Sequence, residues 1–209
     1  MIVWRPASPV LAAASTVVGG GLGPRRWALN ATVDTDYDHP SPAHHLGELA
    51  AASGLDGDGI GFLTAVDVRG APWPEADGTE ALATVGLGWP TWAAAPPEVD
   101  APSGAGPSRA GTVNLLVWVP ARLADGALVN AVATATEAKA QALAELHVPG
   151  TGTASDAVAV CCPMDGAVET YGGPRSMWGA RLARAVHAAV TAGARADAVT
   201  EGRAWRDPA

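Results

Sequence analysis

Apolar residues recur along this chain with two spacings, and the alternation between them outlines a fold. Short apolar runs bounded by glycine, proline or polar clusters predict strands at residues 27–33, 61–68, 81–87, 113–119 and 157–162. Apolar residues spaced three and four apart predict helices at 43–52, 121–146 and 176–194. Asp125 or the region before it is a candidate cap for the longest helix, and Ser53-Gly54 is a candidate stop for the first.

Strands and helices alternate, and some strands follow one another directly. This order favours an α/β fold, a single domain over residues 1–209 with a mixed β-sheet flanked by helices. Other segments break the pattern: an apolar lead-in at 10–18, a glycine-rich turn at 19–24, a long proline-rich loop at 89–111 and a frayed tail at 195–209. Long loops in compact domains commonly serve as lids or binding loops.

Composition indicates a folded globular protein and argues against two classes of partner. Apolar residues make up 48% of the chain and charged residues 16%, and the net charge is −8. Nucleic acids and anionic membranes attract positive surfaces, so we expect neither as a partner. No apolar run approaches the ~20 residues that span a bilayer. No signal peptide is evident at the start, so the expected location is cytoplasmic.

Cysteine and histidine positions predict no metal ligands. The 2 cysteines, Cys161 and Cys162, are adjacent, a spacing that strains a disulfide, so we expect reduced thiols buried in a strand. His39, His44 and His45 cluster near a turn. Because adjacent helical residues point apart, solvated histidines are the favoured interpretation. A requirement for a metal or another cofactor is left open.

The longest predicted helix carries a lysine on its apolar face. At about 100° per residue, Lys139 falls among the leucines of that face, Thr136 lies on its flank and Glu137 points nearly opposite. Lysines are almost never fully buried unless they are paired. The stem of Lys139 could reach solvent, its ammonium could pair with a carboxylate for structural reasons, or it could serve a functional site.

A turn rich in glycine and hydroxyl groups follows this helix. Its sequence, Thr151-Gly152-Thr153-Ala154-Ser155-Asp156, ends in a carboxylate and leads into an apolar strand. Glycine lets the backbone approach a ligand, and consecutive amides can converge on an oxyanion or phosphate. Asp156 could orient a base, pair with Lys139 or bind a metal. Equally, the segment could be a tight helix-to-strand turn whose hydroxyls bond the backbone.

Several segments, in a fixed order, resemble one known family, that of the adenosylcobinamide amidohydrolases of corrinoid salvage. The likeness extends over residues 10–192. The matching stretches are Ser15-Thr16 with the glycines at 19–21, Asn30, residues 61–68, 111–114, 134–139 and 151–157, and Gly172-Gly173 with Gly179.

The chain departs from the family pattern at two places. The family's Gly-Thr-Gly-Thr-Asp run is Gly152-Thr153-Ala154-Ser155-Asp156 here, which keeps the hydroxyls and the carboxylate but loses one glycine. After Gly173 many relatives carry Lys-His, whereas this chain has Pro174-Arg175. If that histidine were a catalytic base, its absence would put activity in doubt.

The resemblance implies an enzyme, a hydrolase that cleaves the amide C–N bond between the aminopropanol arm and the corrin ring of adenosylcobinamide. The products would be adenosylcobyric acid and aminopropanol. The corrinoid is then the substrate and the expected small-molecule partner, not a cofactor. Amide hydrolysis needs an activated water or nucleophile, donors for the tetrahedral oxyanion and a proton for the leaving amine.

We hypothesise a catalytic set and a substrate-binding set around the reacting amide. Glu137 or Asp156 would activate water, and Lys139 would stabilise developing charge. Trp89 and Trp92, at the base of the long loop, would cover the wide apolar face of the corrinoid. The substrate-binding residues would be Ser15, Thr16, Gly20, Asn30, Thr64, Asp67, Asn114, Thr136, Thr153 and Ser155.

Two alternatives from other functional classes stay open. The Pro174-Arg175 departure motivates a corrinoid-binding protein that has lost catalysis. The glycine-rich turns motivate a phosphate or nucleotide binder, although Pro24 stands where a Rossmann fingerprint needs its last glycine. Self-association into a homo-oligomer is also left open.

Overall fold

The computed structural model describes residues 1–96 and 111–202. Its strands are β1 (Ile2–Trp4), β2 (Val10–Ala14), β3 (Gly21–Arg25), β4 (Trp27–Thr32), β5 (Gly59–Thr64), β6 (Glu75–Ala76), β7 (Thr79–Gly86), β8 (Thr112–Trp118) and β9 (Ala157–Cys162). Its α-helices are α1 (Pro42–Ala52), α2 (Asp125–Glu145) and α3 (Met177–Glu201), and a 3₁₀ turn spans Val68–Gly70. Within these residues no helix is both long and apolar enough to cross a membrane.

Most predicted elements are confirmed, because their hydrophobic pattern and their end signals agree. β9 matches its predicted range at both ends, and β4, β7 and β8 differ by one or two residues. Ser41 caps α1 through a hydrogen bond from the His44 amide to its Oγ (3.3 Å). Pro42 follows at the first helical position, where a missing N–H has no cost. Gly54 has a φ of 63° just beyond the last turn.

Helix ends were predicted less well. The prediction of a frayed tail from 195 is wrong for residues 195–201, because α3 continues to Glu201 and Ala198 extends its buried stripe. Residues 203–209 of that tail lie outside the described part of the chain, as do residues 97–110 of the predicted proline-rich loop. The cap of α2 was expected at Asp125 or in the region before it, and it lies at the preceding residue, Ala124, which makes no side-chain cap bond.

Strand predictions failed where apolar residues are sparse. The glycine-rich turn predicted at 19–24 contains most of β3, which pairs with β2 through Gly21, Gly23 and Pro24. Glycine and proline are typical of edge strands, so the pattern gave no strand signal there. The strand predicted at 61–68 ends at Thr64.

The strands form two mixed sheets. The three-stranded sheet has the order β1-β4-β5, with β1 antiparallel to β4 and β4 parallel to β5. The six-stranded sheet has the order β3-β2-β9-β8-β7-β6, in which β8 and β9 are parallel and the other neighbours antiparallel. Both parallel pairs are joined by a crossover helix, α1 between β4 and β5 and α2 between β8 and β9.

The layers stack in the order helix, sheet, sheet, helix. α2 and α3 cover one face of the six-stranded sheet in a large core that includes Val117 and Val186. Its other face packs on the three-stranded sheet through Cys161 and Phe62. Leu46 of α1 packs against the outer face of the three-stranded sheet. The fold class, a single α/β domain with mixed sheets flanked by helices, is as predicted.

Both cysteines are free and buried in β9, which confirms the expectation from the sequence. Burial raises the pKa of Cys161 to about 12, and burial also raises the pKa of Cys162. A thiol acts as a nucleophile only after it loses its proton. These cysteines are therefore packing residues rather than reactive groups.

Candidate functional site

Several strand ends bring polar residues to one edge of the six-stranded sheet. β8 and β9 begin at this edge, at Thr112 and Ala157, and the antiparallel β7 and β2 end there, at Gly86 and Ala14. Neighbouring strands lie ~4.8 Å apart, so these four ends extend over roughly 15 Å. We call this edge, formed by the ends of β2, β7, β8 and β9, the site edge.

Lys139 of α2 forms an ion pair with Asp156, the last residue of the turn before β9. Only 7% of the Lys139 side chain and 11% of the Asp156 side chain are exposed. Charges this deeply buried need an opposite charge and hydrogen-bond partners. Of the three interpretations of Lys139, the structure therefore shows pairing with a carboxylate.

Both oxygens of Asp156 accept further hydrogen bonds. Oδ1 accepts from the Val113 amide (2.8 Å) and the Thr153 hydroxyl (2.5 Å), and Oδ2 accepts from the Thr153 amide (3.1 Å). A Cβ atom at Gly152 would overlap both Asp156 Oδ2 and Lys139 Nζ, so the ion pair requires glycine there. Through these charge-assisted bonds, the carboxylate ties its own turn to the start of β8.

A cavity of about 360 Å³ opens beside this network. It lies between the end of β7, the segment that follows β5 and the last turns of α3, and its volume is typical of small-molecule sites. The cavity wall consists mainly of small apolar residues, among which lie several residues with hydroxyl or carboxylate groups. Those polar wall residues include Thr64, Thr84, Thr112, Asp67 and Asp197.

Thr112 connects the cavity with the ion pair. Its side chain lines the cavity, and its hydroxyl lies 2.7 Å from the Ser155 hydroxyl in a hydrogen bond. The Ser155 hydroxyl also lies 3.2 Å from the Gly111 carbonyl, to which it donates. Val113 follows Thr112 in the chain, and its backbone amide donates to Asp156. The ion pair thus holds one wall of the cavity in place without itself lining it.

Asp67 stands at the cavity wall as a permanent negative charge. Its carboxylate accepts hydrogen bonds from the Arg69 guanidinium (2.7–3.1 Å) and the Arg69 amide (3.0 Å). These bonds, chiefly those from the guanidinium, lower the pKa of Asp67 to about 2. Asp67 is therefore ionised at neutral pH and is a poor proton acceptor.

Asn30 and Asn114 are buried and join the two sheets next to the cavity. The Asn114 side-chain amide donates to the Leu63 carbonyl (2.8 Å), and that of Asn30 donates to the Thr84 hydroxyl (3.1 Å). Among the described residues, the Asn30 side-chain oxygen has no hydrogen-bond partner. A buried unpaired acceptor is unfavourable, which suits a bound water or ligand group there. Substrate contact by these residues stays a prediction.

Ser15 and Thr16 follow β2 at the site edge, and both hydroxyls are engaged with the backbone. The exposed Ser15 accepts a hydrogen bond from the Val158 amide (3.0 Å), which fixes the entry to β9. The Thr16 hydroxyl is buried and donates to the Val18 carbonyl (2.6 Å). The structure thus places them at the site edge, in positions that support its backbone, and their predicted contact with substrate stays a prediction.

Gly20 belongs to a turn that is held by a buried arginine, Arg25, which no sequence pattern marked as a site residue. A Cβ atom at Gly20 would overlap the Thr16 carbonyl. Arg25 is 8% exposed, and its guanidinium donates to the carbonyls of Gly19 (2.8 and 3.0 Å) and Gly20 (3.2 Å). An arginine beside a glycine-rich turn is usually exposed to solvent, so no local sequence pattern indicated that Arg25 is buried.

Glu137 and Thr136 lie on the exposed side of α2. The Thr136 hydroxyl donates to the Val132 carbonyl one turn earlier (2.9 Å). Glu137 shares no hydrogen bond with the Lys139–Asp156 pair in the described part of the chain. The structure thus does not bring Glu137 into this network, and its predicted activation of water stays a prediction.

The turn before β9 also holds the base of the proline-rich loop. The Thr91 amide donates to the Gly152 carbonyl (2.8 Å), and the Thr151 amide donates to the Thr91 carbonyl (2.9 Å). Trp92 therefore stands beside this turn, with 57% of its surface exposed. Trp89 is more buried. An exposed indole next to the site edge is available to a flat ligand.

Comparison with known proteins identifies the family. Residues 1–201 match the family model described as adenosylcobinamide amidohydrolase. The chain belongs to this family. The adenosylcobinamide amidohydrolase of Methanosarcina mazei is 30% identical over 190 residues, which cover 87% of this chain and 88% of the relative. That of Halobacterium salinarum is 36% identical over 183 residues, which cover 85% of this chain and 78% of the relative. No solved structure matches the chain.

The departure from the family pattern at Pro174-Arg175 lies away from the ion pair. A Cβ atom at the preceding Gly173 would touch the Asn130 side chain of α2. Asn130 precedes Lys139 by nine residues, about 14 Å along the helix axis. Pro174 and Arg175 are both exposed. A histidine at position 175, which the resemblance implies for many relatives, would therefore lie away from the ion pair.

Histidines are arranged differently from the solvated cluster that the sequence suggested. His44 is exposed and lies near Glu48 (Nε2–Oε1 3.4 Å), but His39 and His45 are half-buried against Tyr37. Within residues 1–96 and 111–202, no group of three or more histidine, cysteine or carboxylate side chains could hold a metal ion.

Proposed function

We propose that this protein hydrolyses the aminopropanol amide of adenosylcobinamide to give adenosylcobyric acid and aminopropanol. Membership of the family over residues 1–201 carries the proposal. The names of relatives that are 30% and 36% identical over most of the chain support the substrate and the reaction class. The cavity at the site edge supports the location of the reaction.

A corrinoid is a wide, flat ring with amide arms around its rim, and the site edge suits that shape. The whole ring is too large for a cavity of about 360 Å³, so we place the ring over the strand ends and one amide arm in the cavity. Trp92 would contact the ring face, and the hydroxyls of Thr64 and Thr112 would hydrogen-bond the amide of the arm.

In this arrangement, Lys139 has the chemistry to stabilise charge that develops on the amide oxygen. An ammonium carries three donors, and among the described residues its Nζ makes one hydrogen bond, to Asp156. A preorganised cation with donors to spare is a common form of oxyanion stabilisation. Because Lys139 is 6% exposed and does not line the cavity, substrate binding would have to displace the Thr112–Ser155 wall before the ammonium reached the amide.

Asp156 is better suited to positioning than to water activation. Its two oxygens already accept hydrogen bonds from Lys139, Thr153 and Val113, and at least one of these bonds would have to break before a water could bind. We propose that Asp156 fixes Lys139 and the Thr153–Ser155 segment relative to the cavity. Glu137, the other candidate for water activation that the sequence suggested, is exposed on α2 and does not line the cavity, so its role has no support from the geometry.

The test is incubation of the purified protein with adenosylcobinamide, with and without an added divalent metal ion. We expect adenosylcobyric acid and aminopropanol in equal amounts, detected by chromatography and mass spectrometry. Val129→Ala, an exposed substitution on α2, serves as a matched control for Lys139→Met on the same helix. Absence of product in both conditions contradicts the proposal. Tight binding without turnover would instead favour the alternative of a corrinoid-binding protein.

A further inference from the structure

Three rings at the start of α1 and in the segment before it pack against one another, and the reaction described above does not use them. The ring centroids of Tyr37, His39 and His45 are 5.3, 5.5 and 6.2 Å apart, and their planes differ by 12–26°. Because the three separations are similar, the rings form a compact patch rather than a column. We call these three residues the ring patch.

The ring patch adjoins the cavity at the site edge. Thr35 lines the cavity, and Tyr37 follows two residues later, so their Cα atoms are at most about 7.6 Å apart. A hydrogen bond from the Tyr37 amide to the Asp34 carbonyl (3.1 Å) closes this turn. The Val33 amide donates to the carbonyl of Thr64, another wall residue (2.8 Å). A corrin ring placed over the Thr35 side of the cavity, with one arm inside, would therefore lie near the patch.

One imidazole nitrogen of the patch, His45 Nε2, makes no hydrogen bond among the described residues. His45 Nδ1 lies 2.9 Å from the Tyr37 hydroxyl. When the Tyr37 hydroxyl donates to Nδ1, Nε2 carries the ring proton; when Nδ1 carries the proton and donates to the hydroxyl oxygen, Nε2 presents an unshared lone pair, and metal binding at Nε2 selects this second tautomer. His39 has the opposite arrangement, because its Nδ1 accepts from the Ser41 amide (3.1 Å) and its neutral ring then carries the proton on Nε2. Metal-binding histidines are commonly oriented as His45 is, through the other ring nitrogen.

The chemistry of the proposed substrate provides a partner for that lone pair. Adenosylcobinamide contains a cobalt ion with the adenosyl group on its upper axial position. Because a cobinamide lacks the nucleotide base of the complete cofactor, exchangeable water occupies the lower position. Imidazole is the commonest side-chain ligand of metals in proteins.

We propose that His45 Nε2 binds the lower axial position of the cobalt when adenosylcobinamide occupies the site. A cobalt–nitrogen bond forms, the cobalt–oxygen bond to water breaks, the water leaves, and no electron is transferred. This inference rests on the proposed function and adds to it the orientation of the bound corrin ring. The lower face of the ring is turned toward the start of α1, and the position of His45 limits which arm reaches the cavity.

Visible absorption spectroscopy tests the ligation, because replacing water with a nitrogen ligand moves the main corrinoid band to longer wavelength. We expect this shift when adenosylcobinamide is mixed with an excess of protein. His44→Ala should keep the shift, since His44 is the exposed neighbour near Glu48, and His45→Ala should lose it. Tyr37→Phe removes the group that orients His45 and should weaken ligation about tenfold.

Binding of the corrinoid is measured separately, by ultrafiltration of the coloured compound. Electron paramagnetic resonance of the Co(II) form provides a second readout of the nitrogen ligand. A nitrogen ligand splits the cobalt resonance, and His45→Ala should remove that splitting. Binding and hydrolysis with an unshifted spectrum, or an equal shift in His45→Ala, would overturn the ligation and leave the proposed function standing. Absence of both binding and hydrolysis would overturn both.

Discussion

The Asp156 carboxylate pairs with the Lys139 ammonium where only 11% and 7% of the two side chains are exposed. The same carboxylate accepts the Val113 amide at the start of β8, so one side chain connects a helix, a turn and a strand. Breaking a buried pair by removing one partner is costly, whereas replacing both partners is often nearly neutral. The stability of the site edge and its function can therefore be tested together.

Lys139→Met should weaken both stability and turnover. The substitution leaves a buried carboxylate without its counter-charge, which typically costs about 3 kcal/mol or more. Three hydrogen bonds to Asp156 from Thr153 and Val113 remain, so we expect a folded protein with a lower free energy of unfolding. Turnover should fall by about 10²-fold or more, because a small displacement of positioned groups has such effects. Denaturant titration and product assays measure the two quantities.

A double-mutant cycle separates the ion pair from its surroundings. Lys139→Met and Asp156→Asn should each destabilise the protein, and the double variant should cost less than the sum of the two. Additive costs would show that the two side chains do not depend on each other. The cycle needs only stability measurements, so its outcome is independent of the proposed reaction.

Gly152→Ala should disrupt the same pair through the backbone. The added methyl group would overlap Asp156 Oδ2 and Lys139 Nζ, so those two groups must separate, at a cost of about 1–3 kcal/mol. Gly126→Ala is the matched control, because Gly126 lies in α2 with no atom near its added Cβ. That control should be neutral or stabilising by up to about 1 kcal/mol. Equal stability of both variants would contradict the predicted overlap.

Periodicity predicted the buried elements of the fold and failed at its margins. Residues 113–119 and 157–162 are apolar runs between turn signals, and both are strands in the core. β3 escaped prediction because an edge strand of glycine and proline buries little and carries no apolar pattern. The end of α3 was missed because Ala198, the buried residue beyond the predicted end at 194, is a weak hydrophobic signal.

The candidate site was predictable only in part, because its contacts are long-range. A lysine among leucines and a carboxylate at the end of a glycine turn indicated a pair, and Lys139 and Asp156 do pair. No spacing rule relates Thr112 to Ser155, which meet only because β8 and β9 are neighbours. The burial of Arg25 likewise depends on the Gly19 carbonyl, which points toward the guanidinium only after the turn has folded.

Thr112 provides a sharp test of the cavity. Thr112→Val keeps the shape of the side chain but loses the hydrogen bond with Ser155, and Thr112→Ser keeps the hydroxyl. A single partly exposed hydrogen bond contributes about 1 kcal/mol, so both variants should fold. If the hydroxyl contacts the amide arm, turnover of adenosylcobinamide should fall in Thr112→Val and largely survive in Thr112→Ser. Full activity of Thr112→Val would remove this hydroxyl from the proposed binding mode.

Arg69 sets the pH range over which Asp67 stays charged. The pKa of Asp67 is lowered to about 2 in the folded protein, from an ordinary 3.8. Because the pKa of Asp67 is lowered on folding, the Asp67–Arg69 pair contributes fully to the free energy of unfolding above about pH 4, and that contribution is lost as the pH falls toward 2. Arg69→Met should therefore raise the pKa of Asp67 toward its ordinary value, as measured by NMR titration of the carboxyl carbon.

The control for this titration is Arg184→Met, which removes a different exposed ion pair, the one with Asp77 (2.9 Å). It should leave the pKa of Asp67 unchanged. If Asp67 contributes its negative charge to substrate binding, the wild-type protein should bind adenosylcobinamide equally well at pH 7 and pH 5, because Asp67 stays ionised over that range. A pKa of Asp67 that stays near 2 in Arg69→Met would show that the guanidinium is not the cause of the shift.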